Sequence, residues 1–560
     1  MNSKKRFETK EQQLHRIQEG ISFGDGEEYC ARDYLNMAIH ESREWLKKHY
    51  SSKTSNCRYS KDDNWRSRMT PGNLESDYWD IVETHADTVE VEYGNDVDSS
   101  KFGSGFPRSE RGRCVDGEVD VDKFDLPEPK FGTEDFYKET YWNLCNIPCC
   151  DESILRHVKV GINGINVPWL YFGNLFSTFC WHNEDNYLYS INYHHWGAPK
   201  QWYGVPGNAK DAEGLESVFK NCLSVKMRDS PDLLHHITTM FSPRLLQQGN
   251  VPVNKILQYP GEFIVTFPRA YHSGFSMGPN IGEAVNFASN DWVTHGGEAN
   301  EKYRSFARPS VFSHDRLAFT MANHLEDQKD GESCRLLLQE LRRAIEEERR
   351  LRAKLLKSGV RDISNEVKLP KNRLDRLDEE CMEYDDKRLC HACKHICFYS
   401  CVACECSHSK VSCLRHVHYM CRCSMARKYM MVWVSDEEMK QTEKTVEQFY
   451  EILKSKENQS NGSEKKVDET NSDSENKMMN KTDDAPGSVR NYETYKGYEI
   501  DLSELSPLCS LPSKGEKVLQ KFRQYVEKCN KQCLDAEKSP LKRRKVDEKL
   551  QTRSDMSLKV

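Results

Sequence analysis

From about residue 155 the chain alternates short apolar and aromatic runs with Gly- and Pro-bearing turns, a pattern that predicts β-strands. The runs 166–172, 176–182, 188–195 and 262–267 are the clearest, and 211–223 and 231–241 between them carry a helical pattern. Many short strands with such turns suggest a mainly β core with α additions, built as a double-sheet barrel or jelly roll. Upstream, residues 34–50 predict a helix, 51–73 a polar loop, and 94–135, rich in Gly, Asp, Ser and Pro, a long loop. From 298 to 358 the period changes. Leu336, Leu337, Leu338, Leu341, Ile345 and Leu351 recur among charges and predict amphipathic helices packed beside the barrel. Residues 455–490 have almost no large apolar side chain and are expected to be disordered, before a last helix over 514–536.

Composition adds bounds. A chain of 560 residues is too long for one ordinary core. Its net charge of −7 gives no global nucleic-acid signature, so direct DNA binding is not indicated. No apolar run is long enough for a membrane span, and the basic start Met1–Arg6 leads into Glu and Gln, unlike a secretory signal. Nine of the 22 cysteines lie between Cys390 and Cys423, a density that points to metal rather than disulfides.

Two constellations carry chemistry. His182-Asn183-Glu184, followed much later by His272, supplies two imidazoles and a carboxylate, a set that suits non-haem Fe(II) with open coordination positions. On one strand His182 and Glu184 would share a face. Ser190 and Asn192 would keep the same parity if no bulge intervened. Lys200 supplies a cation that can anchor a carboxylate, and Tyr171 and Phe179 supply aromatic walls. The second constellation is Cys390-x-x-Cys393, Cys404-x-Cys406, Cys413-x-x-His416 and Cys421-x-Cys423, whose eight ligands make two closed tetrahedral zinc sites. The basic run Lys542-Arg543-Arg544-Lys545 reads as a nuclear import signal.

The block from Phe176 through Trp196 to Pro206 resembles the JmjC-domain histone lysine demethylases. Within them it is most similar to the lid-like group, which acts on lysine 4 of histone H3. Val91-Glu92-Tyr93-Gly94, residues 102–107, Pro168-Trp169-Leu170-Tyr171 and residues 267–275 follow in the same order, and the resemblance covers roughly residues 75 to 440. It implies that His182, Glu184 and His272 ligate Fe(II) and that Lys200 pairs with the far carboxylate of 2-oxoglutarate. Tyr93, Ser190 and Asn192 would hydrogen-bond that cosubstrate, Phe179 would pack on it, and Trp202 would form a pocket wall or part of the core. Tyr171 would wall the methyl-lysine pocket and Asn286 would lie near it. Ser276 stands where the family commonly has Asn, a change expected to alter substrate contacts.

The finger resembles the group's five-Cys, His, two-Cys zinc finger. That likeness assigns Cys390, Cys393, Cys413 and His416 to one Zn(II) and Cys404, Cys406, Cys421 and Cys423 to the other. The implied activity consumes 2-oxoglutarate and O2 and removes N-methyl groups as formaldehyde, with succinate and CO2 as coproducts. Its partners would be the histone H3 tail and chromatin or transcription-regulatory complexes, in the nucleus. Another histone lysine, or a catalytically weak chromatin scaffold, stays open at this point. The resemblance does not extend to the JmjN segment, the ARID module or the plant-homeodomain fingers that the family carries before its JmjC domain. The expected division is 1–74, an N-terminal mixed or helical segment and linker; 75–297, the JmjC region with its core at about 154–297; and 298–380, a helical domain. The finger follows at 388–440, then a helix and polar linker at 441–513, and a helix and basic tail at 514–560.

Overall fold

The structure, a computed structural model, describes residues 5–14, 21–52, 70–84, 89–107, 133–224, 239–328, 330–362 and 388–467. Thr133 apart, these fall in one compact unit. The features expected at 514–536 and 542–545, most of 231–241, and 468–490 lie outside the described residues.

The barrel is made of two antiparallel sheets. The larger is ordered β2 (Ser22–Cys30), β1 (Arg6–Leu14), β3 (Val89–Asp98), β4 (Trp169–Gly173), β11 (Asn280–Phe287), β6 (Tyr189–Gly197) and β9 (Phe263–Thr266). The smaller is ordered β5 (Thr178–His182), β10 (His272–Ser276), β7 (Lys200–Gly204) and β8 (Asn254–Gln258). The four apolar runs of the sequence thus become β4, β5, β6 and β9, with β4, β5 and β9 shorter than their runs and β6 extending past its run to Gly197.

Within the N-terminal segment expected to be mixed or helical, β1 and β2 pair antiparallel and extend the larger sheet, and a helix follows over the expected 34–50. Why the sequence pattern conceals these strands is visible in β1. Its inward positions include Thr9 and Gln12 beside Phe7 and Leu14, so polar residues mask the alternation that marks a strand. Buried Gln12 donates its amide to the Thr178 carbonyl at 2.7 Å and accepts from the Thr178 N–H at 2.8 Å. This side chain acts as a backbone partner for β5, at the edge of the smaller sheet, and ties it to the larger one. Gly94 of β3 makes room for the hairpin, since a Cβ there would lie 2.8 Å from the Phe7 ring and 2.9 Å from Phe172.

Helices α1 (Ala31–Ser52), α2 (Pro71–Thr84) and α3 (Ala209–Cys222) supply a core that packs with the smaller sheet. Tyr78 of α2 stacks on Phe275 of β10 at 3.9 Å, and Trp181, Tyr203 and Phe219 are fully enclosed with them. Helix α2 runs through the expected boundary at 74/75, started by Pro71, which suits a first helical position.

A second core joins α4 (Trp292–Phe306), α5 (His314–Ala322), α6 (Gly331–Lys357) and α7 (Asp436–Val467). Leu337, Leu341 and Ile345 of α6 are buried against Met439 and Val446 of α7, and Arg342 bonds Glu443 at 3.0 Å and Glu447 at 2.6 Å. Part of the stretch expected to be disordered, 455–467, is helical because its Lys and Glu residues are good helix formers continuing a packed helix. No helix among the described residues is long and apolar enough to cross a membrane.

Candidate metal centre and cosubstrate cavity

A cavity of about 650 Å³ lies between the two sheets, with His182, Glu184 and His272 on its wall. Their ligand atoms all lie within 4.8 Å of one another. His272 pairs directly with His182 across β10 and β5, and the ring centroids are 4.2 Å apart. His182 Nδ1 faces the Cys180 carbonyl at 2.7 Å and His272 Nδ1 faces that of Ala270 at 3.0 Å. Each carbonyl makes Nδ1 the protonated nitrogen, so Nε2 of both rings keeps its lone pair for a metal. Burial, then the neighbouring His272, brings His182 down to about 4, so it is neutral at physiological pH. For Glu184, burial works upward but is outweighed by its bond to His272, the two imidazoles and the Asn286 amide, and it stays below the usual carboxylate range. Two imidazole nitrogens and one carboxylate fit a divalent cation.

The local geometry corrects one expectation. Strand β5 ends at His182, and Glu184 follows it in extended conformation at the head of a tight turn, Asp185–Tyr187. The alternation along β5 is also interrupted. The β5–β10 register advances from His182 to Phe179 while β10 advances only from His272 to Gly274, which marks a bulge at Cys180-Trp181. Without it Phe179 and His182 would point to opposite faces; with it both line the cavity. Gly274 completes the arrangement, because a Cβ there would lie 2.5 Å from the Phe179 ring.

The remaining expected residues mostly converge. Tyr93, Tyr171, Ser190, Asn192, Lys200, Trp202 and Asn286 all line the cavity. Lys200 is buried, which lowers its pKa to about 8, and its ammonium lies 5.6 Å from the Tyr171 ring centre. Ser190 bonds Thr266 at 2.6 Å, and Asn192 donates to Ser190 at 3.1 Å. Trp202 donates to Gln258 at 2.9 Å and stacks near His272 and Phe179, so it is at once wall and core. Asn286, expected near the substrate, donates to Glu184 at 2.9 Å and to the Tyr189 carbonyl at 3.0 Å, so it orients the Glu184 carboxylate. Ser276 is buried on β10 in register with Lys200.

Wall residues that escaped the sequence reading include Phe23 from the hairpin, Asp96, and Tyr303 and Arg308 from the helical region. Asp96 sits at positive φ, three residues after Tyr93, and burial raises its carboxyl to about 6 against the hydrogen bonds of Tyr171 and Asn95. It lies within β3 at the register shift between Gly94 and Val97, and its place just after Tyr93-Gly94 is the one signal that the sequence offered.

The cysteine-rich segment brings together Cys390, Cys393, Cys413 and His416 in one group, and Cys404, Cys406, Cys421 and Cys423 in another, with all ligand atoms of each within 4.8 Å. A sheet ordered β12 (Arg361–Asp362), β15 (Lys428–Val432), β13 (Ser400–Cys404) and β14 (Ser407–Ser412) spaces the two. Cys397 and Cys401 belong to neither group and are buried.

Fold, triad and cysteine tetrads define a class: a JmjC-domain protein with an appended metal-binding finger. A family model of the JmjC domain, a hydroxylase, matches residues 169–287. The C-terminal helical domain of lysine-specific demethylase 5 matches 291–330, and the C5HC2 zinc finger matches 390–442. The chain is 39% identical over 413 residues to lysine-specific demethylase 5B of Gallus gallus, covering 74% of this chain and 24% of that protein. It is 38% identical over 410 residues to lysine-specific demethylase 5D of Homo sapiens, covering 73% and 23%. With these three domains in this order, the chain belongs to the lysine-specific demethylase 5 family. It spans about a quarter of the length of those relatives. The JmjC domain implies dependence on Fe(II) and 2-oxoglutarate, and the finger implies zinc.

Proposed function

We propose that this chain oxidatively demethylates tri- and dimethylated lysine 4 of histone H3, consuming 2-oxoglutarate and O2 and releasing formaldehyde, succinate and CO2. The observation that carries this reading is the His182–Glu184–His272 group sharing one cavity with the buried cation of Lys200. Fe(II) held by the three ligands supplies the oxygen activation that the protein alone lacks.

The chain's own residues do the rest. Lys200 takes the far carboxylate of the cosubstrate, whose charge it neutralises away from water. Tyr93, Ser190 and Asn192 offer hydroxyl and amide groups to its other oxygens. Phe179 and Trp202 cover it and keep bulk water from the reacting centre. Tyr171 presents a ring face to the methylated ammonium, which an aromatic wall favours electrostatically. Asn286 fixes the Glu184 carboxylate, and two zinc ions, one in each tetrad, close the finger. We place the protein in the nucleus, in chromatin and transcription-regulatory complexes, a reading that the basic run 542–545 supports.

The test is mass spectrometry of a histone H3 tail peptide trimethylated at lysine 4, incubated with Fe(II), ascorbate and 2-oxoglutarate. Stepwise loss of methyl groups is expected with the intact protein and not with His182→Ala. Folded, iron-loaded protein that leaves this peptide unchanged refutes the lysine 4 reading. A panel of other methylated peptides then separates a different substrate from a binding scaffold.

A further inference from the structure

Glu184 is held from two sides. Its carboxylate is oriented within the barrel by Asn286. Its backbone leads straight into Asp185–Tyr187, where Asn186 and Tyr187 both have positive φ, at 52° and 53°. Two successive left-handed residues that are not glycine are strained, and neither would hold that shape unaided.

The helical region supplies what holds them. The Asn186 N–H donates to the Tyr303 hydroxyl at 2.9 Å, and the Trp292 indole N–H donates to the Asn186 carbonyl at 3.0 Å. The Tyr303 hydroxyl in turn donates to the Asp185 carboxylate at 3.4 Å, and Arg308 bonds the same carboxylate oxygen at 3.0 Å. Asn186, Trp292 and Tyr303 are buried, so these bonds are shielded from water. Within the turn, the Tyr187 N–H bonds back to the Glu184 carbonyl at 3.0 Å, so the clamped conformation sets the direction in which Glu184 leaves the backbone.

We propose that helix α4, outside the barrel, is a positioning clamp for the metal ligand Glu184. Trp292 and Tyr303 keep the strained turn in its left-handed form, and metal affinity at the barrel is thereby set from the helical region. This rests on the reading of His182, Glu184 and His272 as ligands. It assigns Trp292 and Tyr303 a role on the backbone behind the ligand, separate from packing in the second core.

The experiment uses the full chain and Mn(II) as the probe, its affinity followed by electron paramagnetic resonance of the free ion, with the melting temperature of each variant recorded in parallel. Tyr303→Phe and Trp292→Phe keep the rings and remove the polar atoms. Each is expected to weaken Mn(II) binding about tenfold, in the range seen for groups that orient ligands. Asn186→Gly takes the left-handed φ without strain, so placed on Tyr303→Phe it is expected to restore most of the affinity. That rescue is something loss of general stability would not show. Glu184→Ala is the control. If it leaves Mn(II) binding intact, the ligand reading itself falls. If it abolishes binding while Tyr303→Phe and Trp292→Phe bind as the parent does, the clamp is overturned. A loss that tracks the melting temperature and is not rescued by Asn186→Gly overturns it too.

Discussion

Lys200 is buried with no carboxylate beside it among the described residues, and burial alone takes its pKa from 10.5 to about 8. That depression means the charged form destabilises the fold by about 3 kcal/mol, at roughly 1.4 kcal/mol per unit. The sign fixes the pH window. Below about 8 both folded and unfolded chains hold the proton and the whole cost is present. Between about 8 and 10.5 the unfolded chain keeps a proton that the folded chain has shed, so stability rises with pH across that window and is level above it. Lys200→Met, similar in length and uncharged, should therefore stabilise the apoprotein at neutral pH by up to about 3 kcal/mol. The same change should weaken 2-oxoglutarate binding by about 2–5 kcal/mol, because the cosubstrate carboxylate then sits unpaired in a buried site. Urea midpoints of both proteins across pH 7 to 10, with calorimetric titration of 2-oxoglutarate, measure both halves. A destabilised Lys200→Met, or a parent protein whose stability is flat over that window, would refute the reasoning.

Other consequences are equally open to measurement. The specificity constant for 2-oxoglutarate reports the free protein, so its pH profile should fall above about 8 as Lys200 loses its proton; a profile unchanged to pH 9 would remove Lys200 from cosubstrate binding. Asn286→Ala strips Glu184 and the Tyr189 carbonyl of a donor and should lower Mn(II) affinity about 10- to 100-fold at nearly unchanged KM for peptide. Arg415 bonds Glu301 of α4 at 2.6 Å and Glu347 of α6 at 2.7 Å. Arg415→Ala should cost about 1–2 kcal/mol of stability after solvent screening and raise hydrogen exchange where the finger meets the helices. Chelating zinc should melt the finger, whose small cores include its own cysteines, and circular dichroism would show the loss.

Much of the chemistry was written locally. Eight cysteines and histidines in four close pairs already point to a metal-binding module. His182, Glu184, His272 and Lys200 were visible because their side-chain chemistry is unusual near aromatic strands. The period of Leu337, Leu341 and Ile345 announced α6 because one face of a helix must be apolar. The hairpin of β1 and β2 was hidden by its buried polar residues, whose partners are distant in sequence: Gln12 answers Thr178.

What only the tertiary structure decided is how these groups face one another. The bulge at Cys180-Trp181 turned Phe179 to the side of His182, against strict alternation. Asn286 became a holder of Glu184 because β11 and β6 pair it opposite Ser190, next to the turn. Trp292, Tyr303 and Arg308 reached the site from another domain. The sequence determines which side chains can do chemistry, because that is a property of each residue and its near neighbours. Register, bulges and the docking of distant helices depend on pairings between remote segments, and these are settled only when the whole chain has packed.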